Sequence, residues 1–278
     1  MYMKLLFNKI WLILFAPAVL CTSCYQEVID LDLSEIERHI VVVGKMEEGS
    51  YSNHITLYRA GSLSTSDDFT PIPDAVVTLM DDSGNSETLH ESPEGTYSTS
   101  ATAGTVGRTY TLQVESEGKE YIAISSMPTP LKFDTIKFHL KSEYNSSYIL
   151  EVIFKDNPGI PDYALINVYV NNNLVEKRLY NDKYSDGEEI FINDFKYLYY
   201  AGTDVKIEFI TLDEPVYRYY SLLIGGNNTI DSDNENPDDI TVDDLIGVTN
   251  YNPVNNITNG ALGIFSAQCK RTYRPVVQ

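Results

Sequence analysis

Apolar and polar residues alternate with a period of two from residue 40 onward, which restricts this chain to β-sheets with one buried face. His54-Ile55-Thr56-Leu57-Tyr58 alternates, as does Thr109-Tyr110-Thr111-Leu112-Gln113-Val114-Glu115. Ile40 to Val43 and Ala75 to Met80 are apolar runs of strand length. Turn chemistry separates them: Asp82-Ser83-Gly84-Asn85 follows one run, and Glu117-Gly118 lies between Val114 and Tyr121. Gly95-Thr96-Tyr97 and Gly107-Arg108-Thr109-Tyr110 read as tight turns entering strands, not as phosphate loops. About seven short strands before residue 127 predict a small sandwich.

Met127-Pro128-Thr129-Pro130 cannot continue a ladder, because each proline removes a backbone donor. A domain boundary is placed there, between an N-terminal β-sandwich domain at 37–128 and a C-terminal β-rich domain at 131–278. Ile136-Lys137-Phe138-His139-Leu140 and Leu150-Glu151-Val152-Ile153-Phe154 alternate, and Tyr163 to Val170 is a longer, more buried strand. Asn171-Asn172-Asn173 turns it back into Leu174 to Tyr180, and Val205, Ile207 and Phe209 mark one face of the next strand. One helix is expected near 214–224. Asp213 can cap it, Pro215 suits its first turn, and Val216, Tyr219, Tyr220 and Leu223 recur at helical spacing before Gly225-Gly226. Residues 227–259 read as an acidic loop, with closing strands over Gly260 to Gln268 and Thr272 to Val277. The fold class is therefore mostly β, two β-sandwich domains with one short helix in the second.

Ahead of this β region, Lys4 and Lys9 precede an apolar run from Ile10 to Leu20 and the tetrapeptide Cys21-Thr22-Ser23-Cys24. Basic start, apolar centre and small residues before a cysteine make a lipoprotein signal peptide over 1–23, with Cys24 as the lipidation site. The apolar run is shorter than the ~20 residues needed to span a bilayer. Residues 24–36 then act as a tether. Cys269 is the one other cysteine downstream, so the fold rests on its core without an internal disulfide. It sits in an apolar segment and reads as a buried small hydrophobe.

The chain carries 20 basic and 40 acidic residues, a net charge of −20. That balance argues against nucleic acid and anionic lipid as partners. His39, His54, His90 and His139 show no metal spacing, and no GxSxG elbow, Walker loop or dinucleotide fingerprint occurs. No catalytic residue is assigned, and the expectation is that the protein is not an enzyme. Asp231, Asp233 and Glu235 alternate oxygen side chains as calcium prefers, with Asp238, Asp239, Asp243 and Asp244 following. The sixth position is Asn236 and the twelfth Val242, so an EF-hand is not formed. A solvated acidic loop is the plainer account; no cofactor is otherwise expected. Tyrosine occurs 21 times, clustered at Tyr197, Tyr199, Tyr200 and at Tyr217, Tyr219, Tyr220. Most are expected in the core, with a few at loop rims available for a binding face.

An ordered set of segments gives the chain a resemblance. It comprises Glu27-Val28-Ile29-Asp30-Leu31-Asp32-Leu33 after the cysteine, Ile40-Val41-Val42-Val43-Gly44-Lys45, Pro73-Asp74-Ala75-Val76-Val77-Thr78-Leu79, Gly95-Thr96-Tyr97, Gly107 through Leu112, Ser126-Met127-Pro128, Asp213 through Tyr220, and Ile257 through Phe265. Together these resemble the DUF4249 lipoproteins of Bacteroidetes, a family without an assigned activity. The resemblance implies an outer-membrane lipoprotein with an immunoglobulin-like or prealbumin-like N-terminal domain. It also implies an accessory role beside a TonB-dependent nutrient receptor. Asp134-Thr135-Ile136 fits the acidic-hydroxyl-apolar pattern glycosylated on exported proteins of that phylum, which makes Thr135 a candidate glycosylation site.

The leading expectation is a lipid-anchored, non-catalytic binding or accessory module of the outer membrane, facing either the periplasm or the cell surface. A surface adhesin or structural envelope protein is the first alternative. A hydrolase using scattered carboxylates is the second.

Overall fold

The strand pattern read from the sequence is realised in a computed structural model that describes residues 39–60, 70–226 and 255–277. All of these belong to a unit spanning residues 37–278. Nine strands precede the proline-rich boundary: β1 (Ile40–Glu47), β2 (His54–Arg59), β3 (Thr70–Pro71), β4 (Val76–Asp81), β5 (Ser86–Thr88), β6 (His90–Ser92), β7 (Thr96–Ser98), β8 (Thr109–Ser116) and β9 (Lys119–Ser126). After it come β10 (Lys132–Ser142), β11 (Ser147–Lys155), β12 (Tyr163–Val170), β13 (Asn173–Asn181), β14 (Glu189–Ile192), β15 (Tyr199–Tyr200) and β16 (Val205–Leu212). Helix α1 (Glu214–Gly226) and β17 (Leu262–Tyr273) complete the described elements. Among the described residues the protein is mostly β with one helix.

Nine strands form one sheet, in the order β13-β12-β16-β17-β1-β2-β7-β6 with β3 added beside β2. Two four-stranded sheets accompany it: β5-β4-β8-β9, and β10-β11-β14 with β15 beside β11. The boundary expected near residue 128 falls between β9 and β10, and the large sheet draws strands from both sides of it. β17 is the join. It runs parallel to β1, with Val42 opposite Gly263, and antiparallel to β16, with Thr211 opposite Cys269.

Three apolar clusters follow from this layering. Val42, Met46, Ile55, Leu57, Tyr97, Phe265 and Ala267 of the large sheet meet Val77, Leu79, Leu112 and Val114 of the β5-β4-β8-β9 sheet. Ala164, Ile166, Val168, Ile207 and Phe209 meet Leu150, Val152 and Phe154 of β11. Because Thr211 and Cys269 are directly paired, both small sheets cover the same face of the large one. On the opposite face Leu165, Ile210, Leu212 and Ile264 pack against Val216, Tyr219 and Tyr220 of α1.

The helix begins as the sequence predicts. The Val216 amide donates to Asp213 Oδ1 at 3.1 Å, and the Tyr217 amide to the Asp213 carbonyl at 3.0 Å. Asn171 and Asn172 both take positive φ, 51° and 66°, which is the geometry of a tight hairpin between β12 and β13. One expectation needs correction. The closing strands are one, β17, running through Thr272, while Val276 makes only an isolated bridge to Asp204. Most of the expected acidic loop, residues 227–254, lies outside the described residues, and residues 255–261 dock on β9 without forming a strand. Thr258 exchanges hydrogen bonds with the Ile122 backbone, Asn256 Nδ2 donates to the Ile124 and Phe265 carbonyls, and Asn259 Nδ2 donates to the Glu120 carbonyl.

Candidate functional site: a polar groove on the helix-bearing face of the large sheet

Successive residues of a strand point to opposite faces, so each strand that feeds the cores also presents side chains on the α1 side. The helix covers only part of that side. Beyond Tyr220 the sheet is open, and a groove of about 520 Å³ lies along β12, β16, β17, β1 and β2. Its charged lining consists of Lys45, Lys177, Lys206 and Lys270 against Glu47 and Glu208, with His54 at one side. That is a local excess of positive charge in a chain of net charge −20.

The register places these groups in rows across the strands. Asn167 stands between Lys177 on β13 and Glu208 on β16, and Tyr169 is opposite Lys206. Lys206 Nζ lies 3.1 Å from Glu208 Oε1 and 3.9 Å from the centre of the Tyr169 ring. The Tyr169 hydroxyl donates to Glu208 Oε2 at 2.9 Å. These three side chains hold one another in place. Across the groove Lys270 pairs with Glu47 at 2.8 Å, and Ser266 Oγ donates to Gln268 Oε1 at 3.2 Å. Asn53 fixes the turn beyond β1: its Oδ1 accepts from the Glu47 amide at 2.8 Å and its Nδ2 donates to the Ser50 carbonyl at 2.8 Å. Asn167 is the exception. It is 8% exposed, and its buried Oδ1 accepts no hydrogen bond from any described residue. A buried acceptor without a donor costs ~1–3 kcal/mol. The arrangement is suited to holding a polar ligand by fixed donors and acceptors.

A second cluster involves Asp156, Asp182 and Asp186, whose carboxylate oxygens lie within 4.8 Å of one another. Their oxygens also serve the loops that carry them. Asp156 accepts from the Tyr180 hydroxyl and the Gly187 amide, Asp182 from the Asp162 amide, and Asp186 from the Gly159 amide. The buried Asp162 beside them is pushed up to about 6, first by burial and then by the charges of Asp156 and Asp182, against the hydrogen bonds of Asn157.

The residues singled out from the sequence are scattered relative to the groove. Cys24 and the acidic set Asp231, Asp233 and Glu235 lie outside the described residues. Thr135 is half-buried on β10, next to a break in register between Phe133 and Thr135. His54 lines the groove and bonds Ser98 Oγ at 2.8 Å, and His139 pairs with Glu151 at 2.8 Å; His39 and His90 lie elsewhere. Tyr97, Tyr110, Tyr169, Tyr199 and Tyr219 are buried, while Tyr144 and Tyr184 are exposed. Cys269 is buried with its thiol donating to the Pro128 carbonyl, and burial raises it to about 12, which leaves no thiolate for nucleophilic chemistry. Apart from His54 and Tyr220, sequence reasoning missed the groove residues. The readable signal was Asn167, a polar side chain within the apolar run from Tyr163 to Val170. What the sequence could not supply was the strand order that brings it beside Lys177 and Glu208.

No curated protein matches this chain. A family model described as a domain of unknown function, DUF4249, matches residues 26–274. That match takes in every strand from β1 to β17 and all the groove residues, and so the chain belongs to the DUF4249 family.

Proposed function

We propose that the protein is a non-catalytic binding module, lipid-anchored to the outer membrane through Cys24, that serves a TonB-dependent nutrient receptor. The observation that carries the binding reading is the groove, where ion-paired lysines and glutamates surround an unpartnered, buried amide oxygen. Side chains already held in place lose little freedom when a ligand arrives, which favours affinity. The signal-like residues before Cys24 supply the membrane half of the reading.

Fractionation of native cells tests it. The wild-type chain should sediment with outer membranes and, after detergent extraction and affinity purification, bring a TonB-dependent receptor with it. Cys24→Ala should release or mislocalise the chain without changing its thermal unfolding midpoint. An unchanged membrane fraction for Cys24→Ala, or repeated recovery of the wild-type chain alone, would contradict the proposal.

A further inference from the structure

The groove has a chemistry more specific than polarity. Four lysines and two glutamates line it, and two of the lysines already have a glutamate: Lys206 with Glu208, and Lys270 with Glu47. Lys177 is different. It is half-buried at the groove wall and has no ion-pair partner among the described residues. It stands directly opposite Asn167, whose Oδ1 is buried and unpartnered. One row of the sheet thus offers a cationic donor and a neutral acceptor side by side, 8% exposed in the case of Asn167. An anion alone would meet Lys177 and leave Asn167 Oδ1 unmet. A neutral polyol would satisfy Asn167 and leave Lys177 without a counter-charge. A ligand carrying both a carboxylate and hydroxyl groups satisfies both, and a groove of about 520 Å³ falls in the range that holds small-molecule ligands.

Resting on the binding reading above, we infer that the groove binds a small polyhydroxylated carboxylate, the chemistry of an acidic sugar, with Lys177 meeting the carboxylate and Asn167 accepting from a hydroxyl. Glu47, Glu208 and Gln268 supply further hydroxyl acceptors along the same floor. The protein's overall charge gives this assignment its point. A chain of net charge −20 repels anions at long range, so a local cationic groove admits one only where geometry rewards it.

Isothermal titration of the full chain in detergent tests the inference with three probes: digalacturonate, the neutral disaccharide galactobiose, and inorganic phosphate. Digalacturonate should bind at least about tenfold tighter than either of the others, since a charge-assisted hydrogen bond and a satisfied buried acceptor are each worth about that factor. Lys177→Gln and Asn167→Leu should each weaken digalacturonate about tenfold, and Lys177→Arg should restore most of the loss. Thermal melts of each variant identify any that fails to fold, and the Lys177→Arg rescue carries the test if Asn167→Leu does. Equal binding of galactobiose overturns the carboxylate assignment while leaving a binding groove. Equal binding of phosphate overturns the hydroxyl assignment. No binding of any probe, or binding indifferent to Lys177→Gln, overturns the inference, whereas the binding-module reading falls separately, by the membrane fractionation and co-purification described above.

Discussion

Asp213 does two jobs with one carboxylate. Oδ1 caps α1, and Oδ2 accepts from Ser125 Oγ at 2.7 Å and the Ser126 amide at 2.9 Å, which fastens the helix start to β9. Ser125 in turn accepts from the Ala267 amide at 2.8 Å, so helix, β9 and β17 meet at one polar point. The cap was legible from Asp213-Glu214-Pro215; the partners were not, because they lie far away in sequence. Glu87 shows the opposite electrostatics to Asp162. Burial pushes it up, but hydrogen bonds from Thr102, Ser100 and Ala101 outweigh that and hold it at about 2. Asp162 yields a pH-dependent prediction. Its folded-state value of about 6 lies above the ordinary carboxylate value, so the folded state binds the extra proton between about pH 4 and pH 6. The stability that proton contributes is fully present below the unfolded value and is lost as pH rises through the folded one. Asp162→Asn should therefore gain on the wild type by ~1–2 kcal/mol between pH 4.5 and pH 8. Urea unfolding with a chelator present, at both pH values, measures this. A wild-type-minus-variant difference that does not change with pH would remove Asp162 from the account.

Strands were the most legible elements, since β2, β8, β10, β11 and β12 each follow a run of alternating or apolar residues. Their pairing was not legible. Alternation says which side chains share a face but not which strand lies alongside, and the β1–β17 pair spans nearly the whole chain. The docking of residues 255–261 on β9 was hidden for the same reason: Asn255, Asn256 and Asn259 look like loop residues, yet each donates its side-chain amide to a specific carbonyl. One glycine marks the critical pairing. Gly263 has φ of 95°, and a Cβ there would lie 2.1 Å from the Val42 carbonyl oxygen across the parallel ladder. Gly263→Ala should cost at least ~2–4 kcal/mol through clash and backbone strain, because neither β1 nor β17 can withdraw without opening the core around Phe265. Denaturant unfolding checks the magnitude, and amide exchange should show protection lost first along Val41 to Glu47. A variant as stable as the wild type would mean that the parallel pair does not hold the large sheet together.

At the scale of the molecule, the large sheet has two different faces. One is sealed by two small sheets and carries most of the apolar core. The other is sealed by α1 only over Leu165, Ile210, Leu212 and Ile264, and there the strands switch to Asn167, Glu208, Lys206, Gln268 and Lys270. That switch is a sequence property, visible as polar residues at alternate positions of otherwise apolar strands, but it becomes a site only once six strands are laid side by side. Among the described residues no helix is long and apolar enough to cross a membrane. The proposed attachment rests on Cys24 and the signal-like residues before it. The account joins two proposals, attachment through Cys24 and ligand binding in the groove of the folded body. Native mass spectrometry of the full-length gene product, extracted in detergent from its own membranes, tests both at once. The account predicts a chain that begins at Cys24, carries the added mass of acyl groups, and retains a receptor subunit under gentle activation. A chain of unmodified mass that retains residues 1–23, or an acylated chain that always flies alone, would contradict it.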